Sequence, residues 1–296
     1  MACAYRRTDR ARRARPLGVP RGRPARIMSH PAVRPGSTMT AVPHARDLRA
    51  YEDAYATDYD FEAVQVRFRR EAVLRCLLAH RPRSVIEIGC GLEPLLPHYL
   101  NAGGDGVACW IVAEPAERFV AAARGVAAVH PVMQVHQGLF EEVAPAILAA
   151  HGPVDLVVCS GLLHEVPDPA AMLRAIRATM RPGSILHLNV PNALSLHRRL
   201  AVAMGLIREP GEFSARNLQM QHQRVYAPAS LRQEVESAGL RVAESGGIFL
   251  KPFTHAQMHD VVALLGGDIL PGLAVLGTEL PELASEIYVD AVAGEA

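Results

Sequence analysis

Lysine is almost missing from this chain of 296 residues: Lys251 is the only one, and arginine supplies the other basic side chains. We interpret this as a coding bias toward arginine. The basic residues are also unevenly placed, because residues 1–40 hold ten arginines and one acid, leaving 21 basic and 29 acidic side chains for the rest. Nucleic-acid affinity depends on clustered Lys and Arg. We therefore expect no nucleic-acid partner.

Cysteine and long apolar runs are scarce as well. The five cysteines, at 3, 76, 90, 109 and 159, form no CxxC pair, and this is not the spacing of a secreted disulfide scaffold. No apolar run reaches the roughly 18–20 residues that cross a bilayer, and the N-terminus lacks the apolar stretch of a secretory signal. The sequence predicts a soluble, cytoplasmic protein with no membrane partner, and a homodimer stays open.

The N-terminal segment differs in composition from the remainder. Residues 1–40 combine their arginines with five prolines and three glycines, so neither helical nor strand periodicity can persist, and we expect a disordered tail. Three interpretations compete: a start assigned upstream of the true Met28 or Met39, a solvated tail, or an arginine-rich targeting peptide. Residues 41–82 then become helical and predict an N-terminal cap that ends near His80.

From residue 83 onward, short apolar runs alternate with amphipathic helices, which implies a parallel α/β sheet with right-handed crossovers. Residues 192–227 interrupt the alternation with a polar insertion, and 248–283 form a segment with a helix at 255–265. We treat 83–296 as one domain, with the insertion at the acceptor site and 248–283 as a lid. The predicted strands are residues 84–88, 107–113, 131–136, 154–159, 184–190, 240–245 and 286–292.

The strongest motif is Val85-Ile-Glu-Ile-Gly-Cys-Gly91, where an apolar strand ends in an acid and two glycines. Gly89 and Gly91 would let the backbone turn tightly against a ligand. The third glycine of a dinucleotide G-x-G-x-x-G is replaced by Pro94, so a pyrophosphate is not the expected ligand. Glu87 would instead suit the ammonium of a methionine-like group.

A second acid, Glu114, ends the second predicted strand. This is the place where nucleotide-binding α/β proteins accept hydrogen bonds from both ribose hydroxyls. Glu87 and Glu114 together describe a ligand in which adenosine is joined to an amino acid.

These motifs resemble the class I S-adenosylmethionine-dependent methyltransferases. Gln137-Gly-Leu-Phe140 lies where that family contacts adenine, although Leu139 replaces the acid of many members, and Cys159–His164 and Met180–Gly183 resemble its fourth-strand motif and its turn into strand five. The resemblance implies a Rossmann-like sheet of seven mostly parallel strands, S-adenosylmethionine as cofactor and S-adenosylhomocysteine as product. The implied cofactor contacts are Glu87, Gly89, Cys90, Gly91, Glu114, Pro115, Gly138, Leu139, Phe140, Ser160 and Gly161.

For the acceptor, the candidate bases are His164, after strand four, and His222, in the insertion. His164 could also pack against the cofactor or the backbone without titrating. The candidate substrate contacts are Asn189, Asn192, Arg224 and Tyr226, and an arginine there would suit a carboxylate or a phosphate. Cys159 and His164 lack further ligands at a usable spacing, so we expect no metal.

The predicted function is methyl transfer to a small molecule, with oxygen favoured as the acceptor atom, in biosynthetic or secondary metabolism. Two alternatives stay open. One is a nicotinamide-binding oxidoreductase, and the other is a non-catalytic methyltransferase-like partner subunit.

Overall fold

The computed structural model describes residues 47–50 and 61–294 of the protein. The predicted tail 1–40 lies outside the described residues, as do 41–46 and 51–60 of the predicted cap. Within the described part, the first long helix is α1, Glu62–His80. It buries Phe68 and Leu77.

Seven strands form one sheet in the order β3-β2-β1-β4-β5-β7-β6. Only β7 runs antiparallel to its neighbours, β5 and β6. The predicted sheet of seven mostly parallel strands is therefore confirmed. The strands are β1 Ser84–Ile88, β2 Cys109–Glu114, β3 Met133–Gln137, β4 Val154–Ser160, β5 Met180–Pro191, β6 Leu240–Ile248 and β7 Glu286–Ala293.

Helices follow the strands as the alternation predicts, with two further helices in the insertion. The segment after β6 holds the predicted helix 255–265 and also a second helix that the sequence analysis does not predict. The helices after α1 are α2 Leu95–Asn101, α3 Glu117–Ala127, α4 Phe140–His151, α5 Pro169–Ala178, α6 Leu196–Ala203, α7 Ala215–Gln219, α8 Pro228–Ser237, α9 His255–Leu265 and α10 Ile269–Glu279. A 3-10 turn, Pro281–Leu283, precedes β7.

Strands β2 and β3 begin two residues later than predicted, and two strands extend by three or more residues beyond their predicted bounds. Strand β5 begins at Met180 instead of 184, because Met180 pairs with Val154 across a register shift that absorbs the Arg-Pro-Gly sequence. Strand β6 continues past 245 to Ile248, which pairs with Glu286. Both extensions depend on pairing with a neighbouring strand, which local sequence patterns do not encode.

The central strands contribute side chains to two separate hydrophobic cores, because helices cover the sheet on both faces. Ile86 and Val157 face the cluster that packs α4, α5 and α8, whereas Val85 and Leu156 face the one that packs α1 and α2. A third cluster joins Phe68 of α1 to residues 248–250 and to α10. No helix among the described residues is both long enough and apolar enough to span a membrane.

The topology determines where a ligand can bind. Strand β1 has β2 on one side and β4 on the other. Strands β2 and β3 are therefore added on one side of β1 and the later strands on the other, so the order of the strands reverses at β1. Open α/β sheets bind ligands in the crevice at the carboxyl ends of the strands beside such a switch point. The ends of β1, β2 and β4 are therefore the place to look for a site.

Candidate functional site

A cleft of about 340 Å³ opens at these strand ends, within the range of roughly 300–1,000 Å³ that small-molecule sites occupy. The turn after β1 forms one wall, with positive φ angles of 71° at Gly89 and 60° at Gly91. A Cβ added at Gly89 would lie 3.1 Å from the Leu162 side chain. Glycine is thus needed here both for the backbone conformation and for the close approach of the segment after β4.

Glu87 lies on β1 below this turn and is fully buried. Its carboxylate accepts the Leu95 backbone N–H with both oxygens, at 3.0 and 3.1 Å, and the indole N–H of Trp110 at 2.9 Å. Burial raises the pKa of Glu87 to about 7, although both hydrogen bonds oppose the change. The acid therefore caps the N-terminus of α2, the position at which a dinucleotide fold would hold its pyrophosphate.

Glu114 ends β2 and lies against the same turn. One carboxylate oxygen accepts the Ala116 N–H at 2.9 Å, and the other lies 3.4 Å from the Gly91 nitrogen. The carboxylate is buried but borders the cleft. It is therefore beside the glycine turn, where a ribose-binding acid is expected.

Most of the other predicted cofactor residues border the same cleft. Leu139 is 43% exposed and Phe140 is buried at the start of α4. Gly138 does not itself line the cleft, although the next two residues do. The cofactor candidates lining the cleft are Glu87, Gly89, Cys90, Gly91, Glu114, Pro115, Leu139, Phe140, Ser160 and Gly161.

Both predicted histidines lie in this cleft, and the fold brings them together. The rings of His164 and His222 meet edge to face with their centroids 4.3 Å apart. Glu165 lies beside both, with its Oε1 3.6 Å from His164 Nε2 and 3.9 Å from His222 Nε2. Backbone hydrogen bonds from Gln223 and Arg224 to the His164 carbonyl fasten the insertion to the loop after β4.

Of the four predicted substrate contacts, Asn192 lines the cleft and the other three do not. The Asn189 amide donates to Glu286 at 3.0 Å beneath the surface. Arg224 donates to the Pro167 carbonyl at 2.9 Å and pairs with Glu234 of α8. Tyr226 is fully buried. Alternation along the chain explains the placement of the last two, since Val225 lines the cleft and its neighbours Arg224 and Tyr226 point the other way, toward α8.

The structure adds a polar cluster that the sequence analysis misses. Arg69 of α1 binds Glu286 of β7 through two hydrogen bonds of 2.6 and 2.8 Å. Gln65, one turn earlier, accepts from Lys251 Nζ at 3.0 Å and contacts His255 Nε2 at 2.6 Å. All five residues line the cleft. Glu62, Gln65 and Arg69 recur at a spacing of three and four residues along α1 and so share one face of the helix, which is the signal that could have indicated them.

Two groups of described residues could reach a single metal ion: Cys76 with His187 and Asp290, and His164 with Glu165 and His222. In the first, His187 Nδ1 and Asp290 lie 2.6 Å apart between β5 and β7. The second lies in the cleft. Local spacing does not predict the second group, because His222 lies far along the chain from residues 164 and 165.

A sheet of this strand order, with a glycine turn after β1 and an acid at the end of β2, is the architecture of the class I methyltransferases. Residues 61–245 match a family model described as a methyltransferase domain, Methyltransf_23. The chain belongs to this family and is an S-adenosylmethionine-dependent methyltransferase.

Individual relatives agree with this assignment. The chain is 26% identical to a ubiquinone biosynthesis O-methyltransferase of Aeromonas salmonicida, over 58% of this chain and 69% of the relative. It is 28% identical to the Paraburkholderia phytofirmans protein of the same name, over 58% and 70%.

Solved structures show the same fold. An S-adenosylmethionine-dependent methyltransferase from Mesorhizobium loti matches with a TM-score of 0.52 at 17% identity, over 76% of this chain and 97% of the other. The plantazolicin methyltransferase BamL, solved with S-adenosylhomocysteine, matches with a TM-score of 0.50 at 12% identity, over 84% and 98%.

Proposed function

We propose that this methyltransferase moves the methyl group of S-adenosylmethionine to a hydroxyl oxygen of a small molecule, in biosynthetic or secondary metabolism. The observation that carries the proposal is that one cleft joins the glycine turn and Glu114 to His164. The first set suits an adenosine linked to an amino acid, and the histidine suits an acceptor that must lose a proton. The names of the ubiquinone biosynthesis relatives support oxygen as the acceptor atom.

In the proposed complex, the ribose hydroxyls donate to Glu114 and the adenine packs beside Leu139 and Phe140. The methionine part follows the turn at Gly89 and Gly91, with its ammonium directed toward Glu87. This assignment also disfavours a nicotinamide dinucleotide, because the Leu95 N–H that would bind its pyrophosphate already donates to Glu87.

Between the two histidines, the hydrogen bonds favour His164 as the base. Asn217 accepts from the Ser214 N–H and hydroxyl through Oδ1, at 2.9 and 2.7 Å, so its NH₂ group faces His222 Nδ1 at 2.9 Å. His222 Nδ1 is then the acceptor, and Nε2 carries the ring proton. We assign His222 to orienting Glu165, and Glu165 to orienting His164 through Nε2.

The same tautomer argues against a metal at His164, Glu165 and His222. A ligating imidazole offers a lone pair, but Nε2 of His222 carries a proton in this arrangement. The proposed reaction needs no metal. The hydroxyl oxygen attacks the methyl carbon, the carbon–sulfur bond breaks to give S-adenosylhomocysteine, and the hydroxyl proton passes to His164. Alignment of the two reactants supplies several kcal/mol of the rate enhancement.

Methyl-labelled S-adenosylmethionine tests this proposal. We would incubate the protein with the labelled cofactor and hydroxylated small aromatic acids, then locate the label by two-dimensional NMR. The proposal expects an oxygen-bound methyl group whose formation depends on His164. Label bound to nitrogen or carbon would contradict the choice of acceptor atom.

A further inference from the structure

Lys251, the only lysine in the sequence, is buried at the cleft and is 6% exposed. Its ammonium donates to Gln65 Oε1 at 3.0 Å, which is the one hydrogen-bond acceptor that the described residues give it. An ammonium carries three N–H groups and has no acceptor of its own. Two of its donors are thus available to a molecule that enters the cleft. A buried cation without a carboxylate in contact is unusual in a protein interior.

The orientation of the Gln65 amide is fixed by its hydrogen bonds, so its oxygen and nitrogen cannot exchange positions. Its NH₂ group donates to Ser285 Oγ at 3.2 Å and to Glu286 at 3.4 Å, which leaves Oε1 for Lys251. The same oxygen lies 2.6 Å from His255 Nε2. Gln65 therefore holds the ammonium in place without neutralising its charge.

The nearby carboxylates are engaged by arginines. Glu286 binds Arg69 through both oxygens, and Glu62 pairs with Arg69 at 3.0 Å and with Arg216 at 3.5 Å. Burial alone would raise the pKa of Glu62, but the surrounding cations, led by Arg69, hold it below its ordinary value. Because these carboxylates are paired with arginines, the positive charge of Lys251 is left unbalanced in this part of the cleft.

Two buried histidines beside Lys251 add polar atoms without adding charge. His197 Nδ1 and His255 Nδ1 have no hydrogen-bond partner in the described part of the chain, and both residues line the cleft. Burial and the nearby cations lower the pKa of His197 to about 2 and that of His255 to about 4. Both rings are therefore neutral at pH 7. His255 donates through Nε2 to Gln65 Oε1 and keeps an acceptor at Nδ1, whereas His197 can place its ring proton on Nδ1 and donate to a carboxylate.

We propose that the acceptor of this methyltransferase carries a carboxylate, which binds Lys251 in a pocket formed by Gln65, His197, Arg216, Lys251 and His255. This inference rests on the proposed function, since it places the acceptor in the same cleft. One buried ammonium matches one singly charged group. The anion-recognition role that the sequence analysis gave to Arg224 therefore falls to Lys251.

Benzoate and its neutral isostere benzamide test the pocket without knowledge of the true acceptor. Binding to the protein loaded with S-adenosylhomocysteine would be followed by ligand-observed NMR, in the parent, in Lys251→Met and in the exposed-charge control Arg208→Met. Benzoate should bind the parent and the control at least about 10-fold more tightly than benzamide, and Lys251→Met should lose about 10- to 100-fold in benzoate affinity alone. Equal affinities for the two probes in the parent, or an unchanged benzoate affinity in Lys251→Met, would overturn the proposal.

A pH series on the parent protein gives a second test, which stands even if Lys251→Met does not fold. Burial lowers the pKa of Lys251 to about 8, opposed by Glu62 and Glu286 and aided by Arg216 and Arg198. The histidines facing it are already neutral at pH 7. Preference for benzoate over benzamide should therefore disappear between pH 7 and about 9.5 as Lys251 loses its proton, and a constant preference would contradict the pocket.

S-adenosylhomocysteine affinity separates this inference from the proposed function. If the cofactor binds normally and benzoate shows no preference, only the carboxylate pocket fails. If the cofactor itself does not bind, the proposed function fails with it.

Discussion

The indole N–H of Trp110 donates a hydrogen bond of 2.9 Å to the carboxylate of Glu87, from β2 to β1. Trp110 is the only tryptophan in the chain, and both residues are buried. Intrinsic tryptophan fluorescence therefore reports the environment of one carboxylate at the cofactor site. This contact makes the ionisation of Glu87 measurable in the unmodified protein.

We expect the fluorescence of the cofactor-free protein to titrate with a midpoint near pH 7, because burial raises the pKa of Glu87 from 4.5 to about 7. A carboxyl group with a raised pKa in the folded state favours folding below its unfolded pKa, and that contribution is lost as the pH rises through 7. S-adenosylhomocysteine should lower the midpoint, since its ammonium favours the carboxylate. Glu87→Gln should abolish the titration, and a midpoint that persists in this variant would assign it to another group.

The Arg69–Glu286 pair should matter for stability as well as for the cleft. Arg69→Met would leave the buried Glu286 carboxylate without its bidentate partner, and we expect a loss of about 3 kcal/mol in the free energy of unfolding. Arg67→Met is the matched control, because Arg67 is on the same helix and pairs with Glu71 at an exposed position, where such pairs contribute about 1 kcal/mol or less. Urea denaturation would compare the two, and equal losses would contradict the role of the cluster.

The two histidines should differ in kinetics once an acceptor is in hand. His164→Gln should lower kcat about 10²–10⁴-fold and remove the fall in activity toward acid pH, because the imidazole that gains a proton there is gone. His222→Gln should lower kcat by less and should keep the fall in activity toward acid pH, since His222 acts through Glu165. If both variants and the double variant stay within about threefold of the parent, no histidine base operates in this cleft.

How much of the site the sequence could predict depends on which residues adjoin strand ends. Glu87, Gly89, Gly91 and Glu114 follow apolar strands directly, and parallel strands bring their carboxyl ends to one edge. Local sequence therefore sufficed to place them together. His164 could be placed on the same grounds, because it closely follows β4.

The polar pocket around Lys251 could not be predicted in this way. Gln65 and Lys251 are 186 positions apart, and they meet because α1 packs against the end of β6. A single lysine resembles a coding bias until its burial is known. Asn189 was predicted as a substrate contact from its place near the end of β5, but the antiparallel pairing with β7 sets it against Tyr288 and next to Glu286.

The central claim is that one cleft has a cofactor side at Glu114 and an acceptor side at His164. Calorimetry with S-adenosylhomocysteine tests it most directly on the parent, Glu114→Ala, His164→Gln and the exposed control Glu117→Ala. We expect micromolar or tighter binding to the parent. Glu114→Ala should weaken it by about 1–3 kcal/mol through the lost charge-assisted hydrogen bonds to ribose, and the other two variants should match the parent. Unchanged affinity in Glu114→Ala, or a comparable loss in His164→Gln, would contradict this division of the cleft.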